Sequence, residues 1–361
     1  MYFRLYLNYW GKNMENYVAV PNLDTLSEMG HEWLNEVLPS FDFSAFTNEI
    51  ISGENIFKPD NILTAVLRMF AKELYNSIKI LAVIIAIIVI SALLENLRSS
   101  FNKTNSYGQE VLIVALLGGL AGELFVQSGT YAVNISSDIT KLMWAILPVM
   151  ATLTAGCGFV STATFSNPVL YFMCSVFAEI FNRVLMPLST AYLCISLVDL
   201  MTDTIKLTKF RELIKKAYNF ILGIVMTVFT GLLTVSSFAG VSLDSVGAKG
   251  VKFAVSNMVP FVGRSISDAM SAVVSASMLL KNAVGITGIV VMIAICVIPV
   301  IKTATTIIAI RISAAVCEMI AGKKAIDMLS SVGDSLTMIN AAVIATVVMM
   351  IISLSIIVGI G

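Results

Sequence analysis

Six charged side chains sit inside long apolar stretches of this sequence: Glu123, Glu179, Arg183, Lys302, Arg311 and Glu318. A lone Asp, Lys or Arg at the middle of a membrane helix costs about 2.5–3.5 kcal/mol on insertion scales. Such residues usually face a bundle interior or a watery cavity, so their chemistry is ion pairing or the passage of an ion or solute. Glu179 and Arg183 are four residues apart and can pair on one helix face. Arg311 and Glu318 are seven apart; they share a face two turns apart and cannot touch. Pairing between helices, snorkelling near a span end and a solute or ion path all fit these six.

Catalysis finds little to work with. One histidine, His31, excludes most metal-site and His-based mechanisms. Cys157, Cys174, Cys194, Cys296 and Cys317 form no C-x-x-C pair and lie in or beside apolar runs, where cysteine behaves as a small buried hydrophobe. No nucleophile elbow, phosphate loop, dinucleotide fingerprint or zinc signature occurs. We therefore expect no catalytic, cofactor-binding or metal-ligating residues. The formal charge of zero, with no broad basic face, argues against nucleic acid as a partner.

These charges must be positioned by membrane-spanning helices. Apolar residues make up 57% of the 361 and charged residues 13%, with a mean hydropathy of +0.89. A soluble domain carries about 25% charged residues, so this chain lacks the charge to wet a globular surface. The expected fold is an all-α, polytopic integral membrane bundle in a lipid bilayer. Apolar windows fall at 78–94, 111–133, 142–160, 168–198, 217–240, 283–301, 303–320 and 336–358. The window at 303–320 is weak, and 168–198, broken by Glu179, Arg183 and Pro187, is expected to bend or re-enter. About seven spans, give or take one, are expected. Gly118, Gly119 and Gly122 sit inside a window, where glycines let helices approach.

Residues 1–59 read as a separate acidic, water-exposed helical region, and 60–361 as the membrane domain. The first 60 residues hold nine acids against three bases. Leu26, Met29, Trp33, Leu34, Val37 and Leu38 recur at helical spacing before Pro39. From Asp60, an apolar stripe through Phe70 and Leu74 runs without a breaker into the first span. The segment 205–219 carries Lys206, Lys209, Arg211, Lys215 and Lys216 beside an apolar face, so it is expected to lie in the interface on the cytoplasmic side. Counting four windows back puts the N-terminal region inside, whereas its acidity suits the outside. Pro187 and Pro299 each interrupt a span that a basic segment follows, a weak sign of internal repetition.

The stretch 244–281 is the most distinctive. Gly247, Gly250, Pro260 and Gly263 punctuate it, so it is not expected to form one helix. Ser267, Ser271 and Ser275 form a stripe of small hydroxyls beyond it, suited to close packing or to lining a pore. "DSVGAKGVKFAVSNMVPFVGRSISDAMSAVV", then "LLKNAVGITGIVVMIAICVIPVIK" and "SAAVCEMIAGKKAIDMLSSVGDSL", resemble the stage III sporulation protein AE family over about residues 60–361. Lys249, Lys252, Pro260, Gly263 and Asp268 form the core of that pattern.

The resemblance implies a multi-pass protein of the mother-cell membrane around the engulfed forespore of an endospore-forming bacterium. It implies partners among the other stage III sporulation complex proteins and a homo-oligomer as a further possibility. The implied role is in a channel-like complex joining mother cell and forespore, which supports late forespore gene expression. Members tend to begin with an export leader; here Arg4 precedes only a short, interrupted apolar stretch. A permease subunit energised by a separate ATPase is the alternative that the intramembrane charges suggest.

Overall fold

The computed structural model describes residues 59–101, 106–201, 206–258, 263–319 and 323–359. The proposed helix ending near Pro39, and the whole acidic region before it, lie outside these residues. Helix α1 is Pro59–Phe101, α2 is Ser106–Gly156 and α3 is Val160–Ile180. A π-helical turn, Phe181–Leu185, joins α3 to α4, Met186–Met201. Then follow α5, Thr208–Met258, α6, Gly263–Cys317, and α7, Lys323–Gly359.

Taking α3, the π turn and α4 as one rod, six rods among the described residues are long and apolar enough to cross a membrane. Six lies within the expected range. The eight windows become six because 111–133 and 142–160 fuse into α2, and 283–301 and 303–320 fuse into α6. Three rods, not four, therefore precede residue 206. A 51-residue helix such as α2 is about 75 Å long, well beyond the roughly 30 Å hydrocarbon core. The polar residues between paired windows thus interrupt hydropathy without interrupting the helix.

Helices α2, α6 and α7 pack against one another at the centre; α1 lies on α6, α3 sits between α2 and α5, and α5 is peripheral. Met143, Ile146 and Met150 of α2, Met292 and Ile295 of α6, and Leu336, Met349 and Leu354 of α7 are fully buried there. Lipid is as apolar as these side chains, so van der Waals fit holds the helices together. Glycine sets that fit where α6 crosses its neighbours. A Cβ at Gly288 would lie 2.6 Å from Ile146, and one at Gly285 would collide with Val358. Of the three glycines singled out in the sequence, Gly118 faces Leu197 and Met328, while Gly119 and Gly122 face open space.

Several buried hydroxyls are satisfied within their own helices, whereas those of Ser136, Thr154 and Thr287 have no hydrogen-bond partner among the described residues. Ser196, Ser313, Thr346 and Ser353 each donate to the carbonyl four residues back, which meets the demand that hydrocarbon places on every polar group.

Three expectations change in detail. The basic segment 205–219 does not lie flat: from Thr208 it forms the opening turns of α5 and continues into the span. The 168–198 run crosses as one rod containing a π turn, in which the Met186 amide donates to the Phe181 carbonyl. Pro187 follows directly and has no amide to offer the Arg183 carbonyl, which favours the wider turn there. Helix α5 carries on through Gly247 and Gly250 to Met258, and α6 begins at Gly263.

Candidate functional site

Four helices converge on one carboxylate that the sequence did not single out, Asp334 of α7. Lys215 of α5 reaches one oxygen at 2.6 Å, and Arg311 of α6 reaches the other at 3.1 Å. Tyr192 of α4 donates to it at 3.2 Å. One turn earlier on α7, Ser331 accepts from Arg211 of α5 at 2.9 Å. Arg211 and Lys215 are four residues apart, and Ser331 and Asp334 three apart, so each pair shares a face. The cluster holds three cations for one carboxylate and leaves an excess of positive charge. Arg311 and Lys215 are about half exposed, so they remain open to water or headgroups. This layer joins the helix ends nearest Met201, Thr208, Cys317 and Lys323.

At the opposite end, buried Asp244 of α5 accepts from the amides of Ser161 and Thr162 at 2.7 and 2.8 Å, and from the Thr162 hydroxyl at 2.6 Å. Helix α3 has no side-chain cap of its own at Phe159. The carboxylate therefore serves as an N-cap delivered by another helix, with its charge at the positive end of the α3 dipole. Gly240 makes the approach possible: a Cβ there would lie 2.7 Å from the Thr162 Cα. Near this end Lys281 is fully buried in α6. Burial pushes the Cys157 thiol, in the connection after α2, above its ordinary range, with the charge of Lys281 pulling the other way.

The other charges read from the sequence lie between the two layers, except Glu318, which follows the end of α6 on the Asp334 side. Glu179 and Arg183 do pair, and both are largely exposed on the outer surface. Lys302 sits over the Tyr131 ring at 5.5 Å. Glu123 is exposed on α2, and Glu318 is exposed at the end of α6. Of the six, the structure brings Arg311 into the Asp334 cluster; Glu318 stays apart from it.

Glu123 belongs to a larger feature. Gln127, Thr130, Asn134, Asp138 and Lys141 follow it along the outward side of α2, and all but half-buried Asp138 are exposed. Lys141 and Asp138 pair at 3.1 Å, and Gln127 lies 3.4 Å from the Tyr131 hydroxyl. Glu123 and Lys141 are 18 residues apart, five full turns, so the set forms one stripe about 27 Å long. Helices α3, α6 and α7 pack on α2 behind the stripe, and exposed Val126 and Val133 flank it on one side. By contrast, Phe220, Ile224, Val228, Leu232 and Val235 give peripheral α5 an apolar outer face. Windowing split the α2 stripe: Glu123, Gln127 and Thr130 were averaged into an apolar window, while Asn134, Asp138 and Lys141 fell in the gap between two windows. A search at helical spacing would have found it.

Lys249 and Lys252 fall on α5, and Gly263 and Asp268 on α6, as backbone positions; Pro260 lies outside the described residues. Ser271 and Ser275 are exposed on α6. All five cysteines are free, and Cys194 is exposed while the other four are buried. Among the described residues, no group of three His, Cys, Asp or Glu side chains is placed to hold a metal ion.

The sequence model of the family described as Stage III sporulation protein AE matches residues 41–361. Stage III sporulation protein AE of Bacillus subtilis (strain 168) is 28% identical over 314 residues, covering 87% of this chain and 79% of that protein. No solved structure matches the chain.

Proposed function

The chain belongs to the stage III sporulation protein AE family, a multi-pass membrane protein of sporulation, and from that premise we propose that it is a non-enzymatic component of a channel-like complex joining mother cell and forespore. It resides in the mother-cell membrane around the engulfed forespore, assembles there with other stage III sporulation proteins, and supports late forespore gene expression. The observation that carries this reading is the family match over the whole described membrane domain. It is supported by the charged and polar surface of α2 and of the Glu179–Arg183 pair, which suits an assembly better than a lone protein in lipid.

The positive charge on the early turns of α5 favours placing the Asp334 layer on the cytoplasmic side. Six alternating crossings then put the segment preceding Pro59 and the end of α7 on the opposite side.

The test is deletion of the gene in its endospore-forming host. Sporulation is expected to stop after engulfment, with vegetative growth unchanged and the block relieved by the intact gene. A growth defect in non-sporulating cells would instead identify a housekeeping permease.

A further inference from the structure

The outward side of α2 is the wrong surface to present to lipid. Over about 27 Å, close to the roughly 30 Å hydrocarbon thickness, it carries Glu123, Gln127, Thr130, Asn134, Asp138 and Lys141.

Contacts elsewhere fix the depth of this stripe. Gly118, before it, faces Leu197 near the end of α4 and Met328 near the start of α7. Ile146, after it, lies by Gly288 and so beside Leu354 near the other end of α7. The stripe therefore runs alongside the apolar middle of α7. Helix α5 faces outward over overlapping depths with Phe220, Ile224 and Val228, so the polarity belongs to α2 and not to a level outside the bilayer. Lys302 of α6 extends the polar surface sideways at Tyr131.

We propose that this side of α2 lines a water-filled path formed between copies of the chain, with α2 of each copy contributing one wall. The path would pass small hydrophilic solutes or ions. The stripe is self-complementary. Copies inserted the same way round place Asp138 of one and Lys141 of the next within one helical turn in height. The Asp138–Lys141 pair within each copy can then exchange for pairs between copies, while Gln127, Thr130 and Asn134 hydrate the interior. Rings of side chains at a narrow passage are a physical basis for selectivity, and Glu123 supplies one at the end nearest the Asp334 layer. The inference deepens the channel reading above and rests on it for its biological setting.

Cysteine accessibility in native membranes tests it with the full chain and independently of sporulation. The five native cysteines are replaced by alanine, and Gln127→Cys and Asn134→Cys are compared with Ile224→Cys and Val228→Cys on α5. The probe is a charged, water-soluble methanethiosulfonate. The α2 positions are expected to react at least about tenfold faster than the α5 positions, which face lipid. Equal rates would overturn the path. Mild oxidation of the Asn134→Cys protein is expected to trap covalent homodimers. Fast labelling with no self-crosslink would overturn the assignment of the second wall to another copy. If deletion leaves sporulation intact while α2 labels and crosslinks, the path stands and the sporulation reading fails.

Discussion

Lys215 and Asp334 lie 119 residues apart in sequence and 2.6 Å apart in space. The contact joins the basic start of α5 to α7, and Arg311 holds the other carboxylate oxygen from α6. Asp334 thereby fixes the register of three helices at one end of the bundle. Neutralising it leaves two cations facing each other with nothing between them.

Asp334→Asn is therefore expected to destabilise the detergent-solubilised protein. The loss should be about 1.5–3 kcal/mol, the range for hydrogen bonds to charged groups, and toward its lower end because the cations are partly exposed. Thermal unfolding should show a lower midpoint for Asp334→Asn, with Asp334→Glu in between. Unchanged midpoints for both would mean that the cluster does not hold the helices.

At the other end, Gly240 and Thr162 set the spacing of α5 and α3. Gly240→Ala places a methyl 2.7 Å from a backbone carbon, and overpacking of this kind costs about 1–3 kcal/mol. Gly223→Ala, where nothing lies within 4 Å, is the control and should be neutral or slightly stabilising. Comparison of abundance and thermal midpoint checks the pair. If the two substitutions behave alike, the close approach at Gly240 is wrong.

Asp244→Ala removes three hydrogen bonds from the start of α3. Loss of an N-cap costs about 0.5–2 kcal/mol, and a value near the top is expected because the cap is buried. Hydrogen exchange should quicken at the first turn of α3 before it changes at the centre of the bundle. Exchange at Ser161 and Thr162 matching the wild type would contradict the capping role.

Orientation follows from the same geometry. In a chain with its native cysteines replaced and produced in vegetative cells, Val160→Cys should react with an impermeant thiol reagent added outside intact cells, and Thr208→Cys should not. Both positions are exposed and lie at opposite ends of one rod and its neighbour. The reverse pattern would place the basic start of α5 outside.

Composition and hydropathy alone established that this is a helical membrane protein, because covering 57% apolar residues with 13% charged ones requires lipid. The i,i+4 spacing alone predicted the Glu179–Arg183 pair, since both ends of that contact belong to one helix. The family pattern was equally legible in the sequence from Asp244 to Leu336. Tertiary structure decided what depends on neighbours. Hydropathy windows cannot tell a helix end from a polar interruption, so the fusion of windows in α2 and α6, and with it the count of six rods, needed the backbone. Asp334 drew no attention because its partners come from three other helices. The polar residues of α2 became informative once α3, α6 and α7 were seen to pack behind them, because a polar side chain is costly or useful in a membrane according to what it faces.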